Sequence, residues 1–128
     1  MLKTAATLFG VVFILIGVLG FVPGVTTDNM LLGIFHVNTA HNVVHILSGA
    51  VALWAGYTSV SAARTYFRVF GIVYALVAVL GFAAGDEPLL GIIANNAADT
   101  WLHVLIAVVS LVLGFVVKDG GAVVKTTT

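Results

Sequence analysis

Four long apolar runs, almost free of charge, decide what this chain can fold into. They extend from about Ala5 to Val22, Thr39 to Thr58, Phe67 to Ala84 and Ala97 to Val117. Each has close to the roughly 20 residues that an α-helix needs to cross the hydrocarbon core of a bilayer. With 61% hydrophobic and 8% charged residues in a chain of 128, a water-soluble domain could not cover its apolar surface. Lipid as solvent removes that difficulty. The expected class is an all-α integral membrane protein with four transmembrane helices in a single domain over residues 1–128. Membrane strands would alternate polar and apolar residues at period two, and these runs are continuous.

The few charges are placed asymmetrically. Lys3 precedes the first run, Arg64 and Arg68 lie between the second and third, and Lys118 and Lys125 follow the fourth. The two remaining connections contain Asp28, Asp86 and Glu87 but no Lys or Arg. The positive-inside rule therefore puts both termini and the middle loop of this multi-pass chain in the cytoplasm. Lys3 and the first apolar run also resemble a signal peptide. Val22-Pro23-Gly24 is a poor cleavage site, however, so the segment is expected to be retained. The end, Lys125 to Thr128, reads as part of a short cytoplasmic tail over 118–128.

The chain is also an internal duplication. Phe9–Gly24 (FGVVFILIGVLGFVPG) and Phe70–Gly85 (FGIVYALVAVLGFAAG) agree at nine of 16 positions. Leu31–Leu53 (LLGIFHVNTAHNVVHILSGAVAL) and Leu89–Leu111 (LLGIIANNAADTWLHVLIAVVSL) agree at ten of 23. A copied pair of helices keeps its topology. The expected arrangement is thus two tandem parallel hairpin repeats, about 5–58 and 67–117, around a pseudo-twofold axis along the membrane normal. Asn38 and Asn96 occupy equivalent places and suit helix N-caps, with Asp99 completing a capping-box pattern. Helices starting there leave Leu31–Ile34 and Leu89–Ile92 as short apolar pieces dipping into the outer leaflet.

Polar residues gather on one face of the second and fourth helices. Steps of three and four connect Asn38, His41, Asn42 and His45 on one, and Asn96, Asp99, Thr100 and His103 on the other, with small residues below. Ionisable groups inside a membrane face the bundle interior, so His41, His45, Asp99 and His103 should converge near the outer leaflet. Several uses are open. Three His and one Asp can complete a tetrahedral site for zinc, copper or iron, with Asn38, Asn42 and Asn96 as supporting hydrogen-bond partners. His45 and His103, equivalent in the repeats, can ligate a haem axially. Asp99 beside a histidine suits a proton relay or quinone chemistry. The plainest use is interhelical hydrogen bonding and capping in an accessory subunit of a larger membrane complex or in a homo-oligomer.

Trp101 fits the outer aromatic belt, and Trp54, Tyr57 and Tyr66 the inner one. Gly10, Gly17, Gly20, Gly71, Ala75, Ala78 and Gly81 read as packing faces. Zero net charge points away from nucleic acid. With no cysteine, disulfides, thiolate metal sites and cysteine nucleophiles are excluded. No nucleotide-binding glycine loop, Walker motif or serine triad is present, so no catalytic residue is assigned.

The pattern Val37-Asn38-x-x-His41-Asn42-x-x-His45, its echo Asn96-x-x-Asp99-x-x-x-His103, the stretch Leu19–Gly24 and the Leu-Leu-Gly-Ile pieces resemble a known set of proteins. They are similar to the small four-helix bacterial membrane proteins grouped as domain-of-unknown-function family 4383. That resemblance covers nearly the whole chain and implies a bacterial plasma membrane. It implies no activity. Asp99 and Thr100 stand where the first half has His41 and Asn42, so any site has only approximate symmetry.

Overall fold

The computed structural model describes residues 1–118. Lys125 and nearly all of the tail expected over 118–128 therefore lie outside the described residues. Four helices dominate: α1 (Leu2–Leu19), α2 (Thr39–Thr58), α3 (Val60–Ala84) and α4 (Ala97–Leu111), the last extended by a π-helical turn over Val112–Val116. Three of these, with the extension counted in α4, are long and apolar enough to cross a membrane. The remaining helix, α2, has 20 residues. Its first two turns carry His41, Asn42 and His45, which lower its hydropathy. Outward-facing side chains are overwhelmingly apolar, among them Leu8, Leu47, Leu76 and Leu105. That surface suits lipid and not water.

The helix ends follow local chemistry. Pro23 cannot continue α1, and the Thr26 hydroxyl donates 2.9 Å to the terminal Leu19 carbonyl. α1 thus ends three residues before the expected Val22 and begins earlier, at Leu2. The second connection differs most from expectation. Ser59 alone separates α2 from α3, closing one helix and capping the next, with its Oγ accepting from Ala62 N at 3.0 Å. Arg64 and Arg68 consequently lie on the first turns of α3 and not in a loop. At 25 residues, α3 is about 37 Å long, more than the hydrocarbon core requires.

α4 widens at its end, where Val117 N donates to Val112 O at 2.9 Å. The loosened carbonyls meet both arginines. Arg68 Nε donates to Gly114 O at 2.8 Å and Arg64 Nη1 to Val117 O at 2.8 Å. Cations at a helix C-terminus also complement its dipole. Lys3 belongs to the same end of the bundle, since its carbonyl adjoins Gly56 at the foot of α2.

Close helix approach explains the glycines. α1 packs along the length of α2, and α3 along α4. A Cβ on Gly10 would stand 2.7 Å from Gly49 O and 2.9 Å from Leu53 N. One on Gly71 would stand 3.0 Å from Leu111 N. Only glycine lets backbones approach so closely. The central core is aromatic. Phe9 stacks on Phe13 and Tyr66 on Phe70, both at 4.3 Å, and Tyr74 meets Phe13 edge-on at 5.8 Å. Tyr66 is therefore a core residue and not part of the inner belt. Its hydroxyl reaches Ser48 O at 3.2 Å inside the bundle. Trp54, Tyr57 and Trp101 remain exposed on the outside.

At the opposite end, the 26–36 connection forms a three-stranded antiparallel sheet of two-residue strands, β1 (Thr26–Thr27), β2 (Met30–Leu31) and β3 (Phe35–His36). Strands of two residues have no periodicity by which to be recognised. Tight left-handed turns shape both outer connections: Leu32 and Gly33 have φ of 54° and 70°, and Leu90 and Gly91 have 53° and 73°. Leucine in this region is strained. The turns bury Leu31 and Leu89 and leave Leu32 and Leu90 pointing outward.

Candidate functional site

The candidate site begins where the aromatic core ends. Asn38 and Asn96 hold α2 and α4 in the same way. Each is extended (φ −147° and −146°), and each Oδ1 accepts from the third residue on, His41 N and Asp99 N, at 2.9 Å. These caps fix the first turn of each helix. They set His41 and His45 on one helix, and Asp99 and His103 on the other, toward the interior. All four are at most 5% exposed.

The three imidazoles come together. Ring centroids of His41 and His45 are 4.9 Å apart, and those of His41 and His103 are 6.3 Å apart. Phe13 stacks on His45 at 4.9 Å, and Tyr74 lies 5.7 Å from His103. Despite this proximity, both nitrogens of His41, Nδ1 of His45 and Nδ1 of His103 are buried with no hydrogen-bond partner among the described residues. Such groups are expensive to leave unpaired.

Asp99 behaves differently. Its Oδ2 accepts from Asn96 N at 3.0 Å, closing the capping box, and from His36 N in β3 at 3.1 Å. The acid ties the first outer connection to α4. Among the described residues no three His, Asp or Glu side chains are placed to hold one metal ion. The expected four-ligand metal set is thus not assembled, because its one carboxylate is committed to backbone donors. The supporting asparagines are committed too. Asn38 Nδ2 donates to Ile92 O at 2.9 Å and Asn96 Nδ2 to Ile34 O at 3.0 Å. Asn42 is buried against Gly20.

A cavity of about 110 Å³ opens beside the imidazoles, between α2 and α3. His41, His45 and His103 line it together with Ser48 and Tyr74. Neither of the last two was expected at the site. Tyr74 had a visible signal, since the similar stretch FGVVF carries Phe13 where FGIVY carries Tyr74. Buried Asn95 was also missed. It accepts from the Thr100 hydroxyl at 3.4 Å and donates to Gly85 O at 2.8 Å, joining the end of α3 to α4.

Residues 3–116 match the profile of a domain of unknown function, DUF4383. The chain belongs to that family. The match spans all four helices and both outer connections, so the histidine cluster and its caps lie inside the family's domain. No curated protein and no solved structure is significantly similar to the chain.

Proposed function

We propose that this chain is a four-span protein of a bacterial plasma membrane, with both termini cytoplasmic, that binds a small ligand at His41, His45 and His103 in a binding or sensory role. One observation carries the ligand reading: buried imidazoles stand side by side with four ring nitrogens unpaired. Were the cluster interhelical glue, those nitrogens would be bonded to one another or to Asp99. The cavity beside them is too small for a tetrapyrrole, which favours a small ligand over a haem held by His45 and His103. With no three side chains placed around one ion among the described residues, zinc, copper or iron is less favoured than an organic ligand.

Four spans are supported by the way α2 follows α1. Gly56 sits at Lys3 and Thr7, Gly49 at Gly10 and Asn42 at Gly20, so α2 runs beside α1 from end to end. The inner face is supported by the gathering of Lys3, Arg64, Arg68 and Lys118 at one end. The pseudo-twofold repeat is supported by matched contacts. Gly10 against Leu53 repeats as Gly71 against Leu111, and Gly20 against Asn42 as Gly81 against Thr100. The bonds from Asn38 to Ile92 and from Asn96 to Ile34 are each other's counterparts across the proposed axis.

The test compares the wild type with His41→Leu and His103→Leu. If the imidazoles serve a ligand, apolar replacements remove buried unpaired groups and leave unfolding stability equal or higher. Mass spectrometry of organic extracts and metal analysis of the purified proteins should show a component that the wild type retains and the variants lack. Destabilised variants with nothing retained by either protein would restore the glue reading.

A further inference from the structure

We infer that the ligand is a neutral, lipid-soluble molecule headed by a single six-membered ring with oxygen substituents, of the quinone or quinol class, entering sideways from the bilayer between α2 and α3. This rests on the reading of the histidine cluster as a ligand site, and it adds the ligand's chemistry and its route.

Size comes first. The cavity of about 110 Å³ is of the order of the roughly 150 Å³ apolar cavity that admits one benzene ring. Two aromatic rings line it, Phe70 and Tyr74, with centroids 6.3 Å apart. Charge comes next. Among the described residues no Lys, Arg, Asp or Glu lines the cavity, so an ionic headgroup would be buried without a partner. A phospholipid head is excluded on that ground.

Hydrogen-bonding capacity narrows the class further. A neutral imidazole offers one N–H donor and one acceptor. His41 has both nitrogens unsatisfied, and His45 and His103 add one each. The residues that carry these nitrogens border the cavity, and a head with oxygens on opposite sides of its ring would complement them. The mouth matches a tail: Val44, Val73, Leu80 and Leu90 around it are all exposed on the lipid-facing surface.

The duplication supplies an internal comparison. The counterpart side, between α1 and α4, holds a deeper cleft of about 420 Å³ and, nearer the caps, a cavity of about 100 Å³ lined by His41, His45 and Asp99; the deeper cleft is the one that faces the aromatic core. It carries Phe13 where the first cleft has Tyr74, and Ile106 where the first has Ser48. Both clefts keep an apolar mouth, but only the α2–α3 cleft adds a phenol and a hydroxyl to its imidazoles.

Binding of a decyl-substituted benzoquinone to the full chain in lipid nanodiscs tests this, with retained quinone quantified by mass spectrometry after gel filtration. Expected is saturable, stoichiometric binding, not displaced by a ringless fatty alcohol. It should weaken about fivefold in Tyr74→Phe and at least as much in His103→Leu, the worth of one hydrogen bond. Leu105→Ala, which alters only the counterpart cleft, should bind as the wild type does. Equal retention by the wild type, Tyr74→Phe and His103→Leu would mean partition into lipid and would overturn the inference. Failure of the quinone to bind, while extracts still yield a histidine-dependent component, would overturn the ligand class and leave the site standing. No retained component at all, with destabilised histidine variants, would remove both.

Discussion

Replacing Asp99 separates the two roles that its position suggests. Its Oδ2 receives Asn96 N at 3.0 Å and His36 N at 3.1 Å, and the residue is 1% exposed. In Asp99→Ala both N–H groups lose their acceptor. Each orphaned donor costs about 1–3 kcal/mol, and the lost favourable charge at the helix N-terminus costs about 0.3–1 kcal/mol more. The opposing term is relief from burying a carboxylate, which can reach several kcal/mol. Both donors belong to half-buried residues, His36 and Asn96, at the end of the bundle away from the arginines, where water can replace part of what is lost, so the low end applies and about 2 kcal/mol of destabilisation is expected. Asp99→Asn keeps one oxygen in place and forfeits only the charge assistance, for about 1 kcal/mol. Reversible unfolding in mixed micelles, followed by helical circular dichroism, measures both variants. The order wild type, Asn, Ala is the expected result. If Asn were as damaging as Ala, the charge and not the acceptor geometry would be the important property. If neither changed stability, the tie between β3 and α4 would carry no energy and the reasoning would fail.

Other outcomes follow from the same contacts. Gly49→Ala puts a methyl 2.7 Å from Gly10 O and 2.9 Å from Ile14 N, backbone that cannot swing aside. It should cost about 1–3 kcal/mol in the same unfolding assay. Asn38→Ala and Asn96→Ala each remove a cap and a tie to the opposite connection, for about 1–2 kcal/mol apiece. A double-mutant cycle should show coupling between them, because both ties clamp the same pair of connections. Arg68→Met strips Gly114 O of its 2.8 Å donor, and faster hydrogen exchange over Val112–Val117 is the expected signature.

Much of the architecture was legible because membrane helices announce themselves. The start of α2 at Thr39 and of α4 at Ala97 followed from Asn38 and Asn96. The convergence of three histidines followed from helical spacing. The start of α3 was harder to see. Arg64 and Arg68 looked like loop residues, yet a helix tolerates arginine well, and Ser59 was the real punctuation. The fate of Asp99 was hidden for a different reason. A capping acid and a ligand acid share the same place in sequence, and the deciding partner was His36 N, a backbone group 63 residues away. The small outer sheet escaped because two-residue strands have no period to detect. Tyr74 and Ser48 escaped because each reads as ordinary core until its counterpart in the other half is set beside it.

The crossed asparagine ties reach beyond stability. Each half of the chain finishes one helix start on an oxygen of its own and clasps an outer turn of the other half. Neither half alone can make all of those bonds. On the proposed repeat, the chain is the equivalent of a homodimer whose two protomers have been joined, with Ser59 as the seam. Joining makes the partner permanently present, whatever the expression level. It also frees each copy to change without spoiling the other's contacts. A symmetric pair cannot keep a carboxylate on one side and an imidazole on the other, or a phenol facing only one cleft. A fused pair can, and this one has Asp99 opposite His41 and Tyr74 opposite Phe13. Expressed as two separate polypeptides cut at that seam, the halves should still find each other in a membrane, with little incentive to pair with themselves.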